Sequence, residues 1–168
     1  MGGIRISELS AAAAAAGGGG GSSALVVVKL ADEGIVSDTV LSDDAELTLA
    51  VEAETTYVFQ AFVHLNWTVT TPGAKLAITV PTNTTFRVHY HPQGSNTLAD
   101  SEVLSASGVG STAAIAGLTG TEGKNMFLVG SLVIGDTAGN VTIQWAQFTS
   151  NAATLTVKAN SWIYLAAV

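Results

Sequence analysis

Two histidines that stand two residues apart are the part of this sequence whose type and spacing best fit metal chemistry. His89 and His91 lie on a predicted strand, so both imidazoles point to the same side, and His64 is a third candidate ligand. Three imidazoles could bind zinc or iron. A site built on such a pair normally adds a carboxylate a few residues further on, whereas Gln93 and Ser95 stand there. The sequence therefore favours structural or surface histidines, and we predict neither a metal nor a cofactor.

Acidic residues close together form a second candidate cation site. Asp38, Asp43, Asp44 and Glu46 offer the oxygen ligands that calcium prefers, but they lack the spacing of an EF-hand loop. They belong to a larger acidic zone, because eight of the thirteen carboxylates fall between residues 32 and 54. Acidic zones of this kind are usually solvated, and a solvated surface is the simpler interpretation.

The nucleophiles and glycines of the chain do not predict catalysis. The glycine run at 17–21 is not followed by the Lys-Ser/Thr that a phosphate-binding loop needs. Ser107 and Ser111 lack the strand-turn-helix context of a nucleophile elbow. The chain has no cysteine, which excludes disulfides, thiolate metal sites and cysteine nucleophiles. We therefore predict a protein that is not an enzyme and has no catalytic residues.

Several large aromatic residues invite a carbohydrate-binding interpretation, since their rings could stack on sugars. They are Trp67, Trp145, Trp162 and Tyr164. Trp145 and Trp162 lie among alternating apolar residues, which favours a role as anchors of the core or of a subunit interface. Sugar binding stays open as the alternative.

The elements that must position these residues are short strands. Apolar residues alternate with polar ones at a period of two, and turn signals separate the runs. In the run 55–67, the odd-numbered residues from Tyr57 to Trp67 share one face, and Val58, Gln60, Phe62 and His64 share the other. The run 126–134 is mostly apolar and predicts a strand buried on both faces. The pattern predicts an all-β, antiparallel, jelly-roll-like sandwich of about eight or nine strands with an extended N-terminal arm. The predicted strands are 25–30, 46–51, 55–67, 75–80, 85–91, 126–134, 140–148, 154–158 and 161–165, and 112–116 is a further possible short strand.

Six alanines and five glycines at 11–21 separate a short leader from this β-rich remainder. Such a tract offers only methyl groups and backbone, so it cannot build a core, and glycine loses much entropy on ordering. We divide the chain into an attachment arm at 1–24 and a β-sandwich domain at 25–168. In the arm, small residues allow close approach to a groove on a partner. The predicted contact residues of the arm are Ile4, Ile6, Leu9, Ala11, Ala16, Gly17 and Gly21.

The charge of the chain limits its partners. Charged residues make up 11% of the sequence, whereas about 25% is usual. The net charge is −7, and the six basic residues are scattered, so we predict no nucleic-acid binding. No apolar run approaches the roughly 18 residues of a membrane span, so we predict no membrane association. A surface this poor in charge suits contacts between subunits.

Two segments carry a resemblance to a known group of proteins. The leader Ile4–Ala12 resembles the Ile-Ser-Glu-Leu opening of many structural proteins of tailed phages, with Ser10 in place of the usual proline. The segment Gly139–Trp162, with its Gln-Trp-Ala-Gln strand, resembles a sequence of small phage head and tail proteins. There Asn160 replaces the usual glycine, and Asn tolerates the same left-handed conformation.

This resemblance implies a non-enzymatic structural protein of a tailed-phage virion. Proteins of this kind usually form trimers and attach through extended arms. It implies a homotrimeric capsid decoration (cement) protein on the capsid surface, with the major capsid protein as its partner. The alternative is a tail fibre, head fibre or baseplate component on the tail side. Such a component would bind tail or fibre proteins and would carry a receptor- or glycan-binding β-domain.

Overall fold

The computed structural model describes residues 24–67, 73–93, 102–108, 112–118 and 124–168, and in these ranges all regular structure is β-strand. The strands follow the alternation of the sequence, because β-branched and aromatic residues fit a pleated sheet that is buried on one side. The strands are β1 (Ala24–Val28), β2 (Glu33–Ile35), β3 (Ser42–Val51), β4 (Thr56–Asn66), β5 (Ala74–Thr79), β6 (Thr84–Gln93), β7 (Glu102–Gly108), β8 (Thr112–Leu118), β9 (Lys124–Val133), β10 (Gly139–Gln147), β11 (Leu155–Val157) and β12 (Trp162–Ala167).

The strands form two antiparallel sheets in a sandwich-like arrangement. The larger sheet has the order β1-β12-β4-β9-β6-β7, and the short strands β11 and β2 extend it beside β4. The smaller sheet has the order β3-β10-β5-β8. Apart from the hairpin of β6 and β7, successive long strands alternate between the two sheets. Most strand neighbours are therefore far apart in sequence, as in the pairing of β1 with β12.

One hydrophobic core fills the space between the sheets. The odd-numbered residues of β4 from Tyr57 to Leu65 face it, and Leu76, Ile78 and Trp145 face it from the smaller sheet. Ser161 is also buried and ties β4 to the turn before β12, because its hydroxyl accepts a hydrogen bond from the His64 amide at 3.0 Å. The core therefore fixes which side of each strand of the larger sheet points outward.

The fold confirms the prediction of an all-β antiparallel sandwich and of the two faces of β4. The described residues contain twelve strands where about eight or nine were expected, because the possible strand at 112–116 is β8, and because β2, which pairs with β11, and β7, which pairs with β6, were not predicted. The prediction that 126–134 is buried on both faces is wrong, because Val129 and Val133 are 38% and 47% exposed.

The predicted arm lies almost wholly outside the described residues. This holds for the seven contact residues Ile4, Ile6, Leu9, Ala11, Ala16, Gly17 and Gly21. The structure begins with β1 at Ala24, one residue before the predicted start of the domain. Within the described ranges, no helix is long and apolar enough to cross a membrane.

Candidate functional site

The outward side of the larger sheet is the most distinctive surface of the molecule. We call it the outer face, and it consists of the outward side chains of β1, β12, β4, β9 and β6. Antiparallel register places directly paired residues side by side on the same side of a sheet. The face is therefore built of rows that cross the strands, with each row taking one residue from each strand.

One row is aromatic at its centre, and we call it the aromatic row. It runs from Val28 through Trp162, Phe62 and Phe127 to His91. The rings of Phe62 and Trp162 are stacked, with centroids 6.4 Å apart and planes 20° from parallel. Phe127 meets Trp162 edge-on at 6.5 Å. Three rings from three strands therefore form one continuous aromatic surface, while Val28 at its end is 42% exposed.

The next row mixes two valines with polar and aromatic residues, and we call it the central row. It contains Val26, Tyr164, Gln60, Val129 and His89. Val26 is 61% exposed and Val129 38% exposed. Valines that face solvent on a sheet leave apolar surface in water unless something covers them.

Two further rows complete the outer face. The third contains Ala24, Ala166, Val58, Ser131 and Arg87, and the fourth contains Thr56, Val133 and Thr85. Among the side chains that the structure describes on this face there is no Asp or Glu. Arg87 is its only permanently charged residue there. The outer face is thus broad and free of negative charge in the part described, with apolar residues on β1, β12, β4 and β9 and polar ones on β6.

All three histidines of the chain lie on or beside this face, but they do not converge on one point. His89 and His91 point outward from β6, as predicted from their spacing. His64 lies on β4 opposite Asn125 of β9, so a whole strand separates it from the other two. The described residues contain no group of three possible ligands that could hold a metal ion.

A buried lysine that the sequence analysis did not single out organises the acidic zone. Lys29 follows β1 and is 1% exposed. Its ammonium donates to Asp44 Oδ1 at 2.9 Å and to Glu33 Oε2 at 2.7 Å, and Glu46 Oε1 lies 3.7 Å away. We call these four residues the Lys29 cluster. Burial acts to lower the pKa of Lys29, but its hydrogen bonds to Glu33 and Asp44 and the charges of these carboxylates outweigh burial and hold that pKa above its usual value.

The carboxylates of the Lys29 cluster also bind backbone. Asp44 Oδ1 accepts hydrogen bonds from the amides of Glu46 and Leu47 at 3.0 and 2.9 Å. The Glu46 carboxylate accepts from the Leu30 amide at 2.7 Å. The segment after β1 is therefore fastened to the start of β3 by side chains, with no strand pairing between the two. The cluster locks the end of β1 in place.

The calcium candidates separate into different roles in the structure. Asp44 and Glu46 surround the Lys29 ammonium, which occupies the position a cation would take. Asp43 accepts a hydrogen bond from Gln144 at 2.8 Å, and Asp38 accepts one from the Val40 amide within its own turn. Lys29 itself gave no local signal in the sequence, since fifteen residues separate it from Asp44.

The aromatic candidates also divide. Trp67 and Trp145 are buried in the core, at 2% and 1% exposure, which confirms the core interpretation of Trp145. Trp162 and Tyr164 instead lie on the outer face. A role of Trp162 as a core anchor is therefore wrong, because β12 turns its even-numbered residues outward, whereas its role as an interface anchor stays a prediction.

A second ion pair lies at the margin of the outer face. Lys158 donates to Asp32, which also accepts from the Ala159 amide at 2.8 Å. The Lys158 hydrogen bond and the Ala159 amide lower the pKa of Asp32, and the charge of His64 adds a smaller contribution. Asp32 is thus held ionised by a neighbouring cation, and it belongs to the loop rather than to the outer face.

Comparison with known proteins adds little to this geometry. No protein-family model matches the sequence, and no curated protein is similar to it. Among solved structures, the chain is similar to a chain in a structure of infectious bursal disease virus, Gx strain, at 8% identity and a TM-score of 0.22. It is also similar to one in a structure of the Gt strain, at 11% identity and a TM-score of 0.24. Each match covers 88% of this chain and 39% or 41% of the other. Likeness at this level carries no argument about function, and the chain spans about two fifths of those chains.

Proposed function

We propose that this protein is a non-enzymatic structural component of a virus particle that works by binding other proteins through its surfaces. The outer face is the observation that carries the proposal. It carries exposed apolar and aromatic side chains on the four strands β1, β12, β4 and β9, and the side chains described there include no carboxylate in a chain of net charge −7. A large exposed apolar face of this kind marks a site of protein contact more than a site of chemistry.

The order of the strands supports the same proposal. In a jelly roll, two four-stranded sheets are wound from two Greek keys, with successive strands alternating between the sheets. The orders β1-β12-β4-β9 and β3-β10-β5-β8 fit that scheme, with the hairpin of β6 and β7 inserted between β5 and β8. We interpret the fold as a jelly roll with one inserted hairpin. Viral capsid domains use this architecture, although lectins and cupins use it too, so the fold alone does not fix the function.

The specific role that we propose is that of a homotrimeric capsid decoration protein of a tailed phage. The leader Ile4–Ala12 and the segment Gly139–Trp162 resemble structural proteins of such particles. The arm would bind the major capsid protein, and it joins the domain at β1, whose far end is held by the Lys29 cluster. A pull on the arm is therefore resisted by five paired residues of β1 and β12 and by a buried ion cluster.

Deletion of residues 1–23 tests this role, because it removes the arm and leaves β1 intact. We expect the shortened protein to fold, to keep its oligomeric state and to lose binding to particles in a co-sedimentation assay. Full occupancy of particles by the shortened protein would refute the arm as the attachment device. Quantitative mass spectrometry of particles gives the copy number, and hundreds of copies per particle are expected of a decoration protein.

The aromatic row favours a second candidate function, a tail fibre, head fibre or baseplate component with a glycan-binding domain. Exposed aromatic rings stack on sugar rings, and Gln60 and Asn125 beside the row offer neutral hydrogen-bonding groups. This candidate predicts a few to a few dozen copies per particle. It also predicts glycan-array binding that is lost on Trp162→Ala.

A further inference from the structure

The distribution of charge makes the outer face the natural site for another copy of this chain. A net charge of −7 on each copy opposes association. The described part of the outer face holds no carboxylate, while its β6 side carries Arg87, His89 and His91. At its margin, beside His64, Asp32 is paired with Lys158. A neighbouring copy, itself negatively charged, therefore meets less repulsion at this face than at the acidic zone of the chain.

The size of the outer face suits a protein partner. Five strands spaced about 4.8 Å apart span about 24 Å, and four rows spaced about 6.8 Å apart span about 27 Å, which gives a footprint of roughly 650 Å². Each partner of a stable complex contributes about 800 Å², so the face, its polar β6 side included, supplies most of that area. A sugar on the aromatic row would leave Val26, Val58 and Val133 uncovered in the other rows.

The sequence of β9 adds an independent argument. Six of the ten residues of β9 are large and apolar, and apolar runs of this kind are typical of strands covered on both faces. Within one chain, β9 buries Met126, Leu128 and Leu132 in the core but leaves Val129 and Val133 exposed. A protein chain laid on the outer face would bury the second side of β9 as its composition predicts.

We propose that the occupant of the outer face is a second copy of this chain, and that the aromatic row and the central row form the middle of the contact. This inference rests on the proposed structural role only for the expectation that the protein is oligomeric. Because three copies related by a three-fold axis make head-to-tail contacts, each copy presents its outer face to a different surface of its neighbour. The hydrophobic effect drives the contact, and the absence of carboxylates from the described part of the outer face keeps electrostatic repulsion low.

Sedimentation velocity and light scattering of the full-length chain over a range of concentrations test the proposal. The variant is Val129→Glu, which puts a carboxylate in the centre of the face on a side chain that already points outward. We expect its dissociation constant for self-association to rise at least about tenfold, since a charged carboxylate would lose its hydration in the contact. Val26→Glu on β1 is expected to act in the same direction if Val129→Glu does not fold.

The matched control is Val40→Glu, which adds the same charge at a valine that is 72% exposed in the loop before β3. We expect it to associate as the wild type does. A wild type that stays monomeric at all concentrations would overturn the proposal, and so would a Val129→Glu variant that associates normally. Glycan binding by the aromatic row of a monomer would overturn it as well.

Particle binding separates this inference from the proposed function. A wild type that is monomeric yet decorates particles refutes the inference and leaves the structural role standing. A wild type that associates through the outer face but binds no particle refutes the structural role and leaves the inference standing.

Discussion

Replacement of Lys29 by methionine is the most informative test of the packing, because it removes one cation from a site that holds three carboxylates. The Lys29 and Asp44 side chains are 1% and 0% exposed, whereas Glu33 and Glu46 are 34% and 29% exposed. Methionine keeps much of the apolar stem of lysine, so the packing changes little. What changes is that Asp44 becomes an unpaired charge in the interior.

The expected cost follows from these exposures. Removal of one partner of a buried ion pair typically lowers the free energy of unfolding by about 3–5 kcal/mol. We expect the lower end, because Asp44 keeps its two backbone amide donors and the two outer carboxylates can turn towards water. In a domain of this size, that loss lowers the melting temperature by about 6–12 °C.

Urea unfolding monitored by tryptophan fluorescence measures this cost, and a double-mutant cycle isolates the pair. Asp44→Asn keeps an oxygen for the amides of Glu46 and Leu47 but removes the charge. We expect Lys29→Met and Asp44→Asn to be coupled by at least about 1 kcal/mol. Lys158→Met is the matched control, since the side chains of its pair with Asp32 are 33% and 46% exposed and its loss should change the free energy of unfolding far less. A loss below about 1 kcal/mol for Lys29→Met would refute the view that this charge is integral to the fold.

Two further predictions concern a glycine and a carboxylate. Gly130→Ala should lower the free energy of unfolding by at least about 2 kcal/mol, because a Cβ there would collide with the Arg87 carbonyl oxygen and lie 2.8 Å from Val88 Cα. Gly139→Ala is the milder control in the same urea titration, because its Cβ would approach the Pro81 side chain at 3.1 Å. The lowered pKa of Asp32 means that its contribution to stability is fully present above its usual value of 3.8 and is lost as the pH falls through the lower folded-state pKa. In thermal melts at a series of acidic pH values, the melting temperature of Asp32→Asn should therefore fall less than that of the wild type, and identical pH profiles would contradict this prediction.

Local patterns of the sequence were sufficient for the strands and for their faces. Alternation at a period of two assigned Phe59 to the core and Phe62 to the outside, because the pleat leaves no other choice. The turn before β12 was also readable. Asn160 has a φ of 68°, the left-handed conformation that was predicted for a residue standing in place of glycine.

Contacts between distant segments could not be read in this way. Trp162 meets Phe62 because β12 pairs with β4 in one particular register across a hundred residues of chain, and no local signal encodes that register. Lys29 looks like the charged end of a valine strand until the fold brings Asp44 beside it. The run 126–134 was misjudged for a related reason: its composition matches a strand covered on both sides, but one chain covers only one side.

The Lys29 cluster and the outer face meet on the same strand, and this connects stability to binding. β1 contributes Val26 and Val28 to the outer face, and Lys29 follows directly at its end. Among the described strands β1 pairs only with β12, and Leu25 and Val27 pack against the core, so the cluster is a further attachment of β1 to the domain. Loss of the cluster should therefore loosen one margin of the outer face, and Lys29→Met should weaken self-association together with stability. Val129→Glu should weaken self-association alone, since its side chain already points to solvent. The two variants thus distinguish a direct effect on the contact surface from an indirect effect through the anchoring of β1.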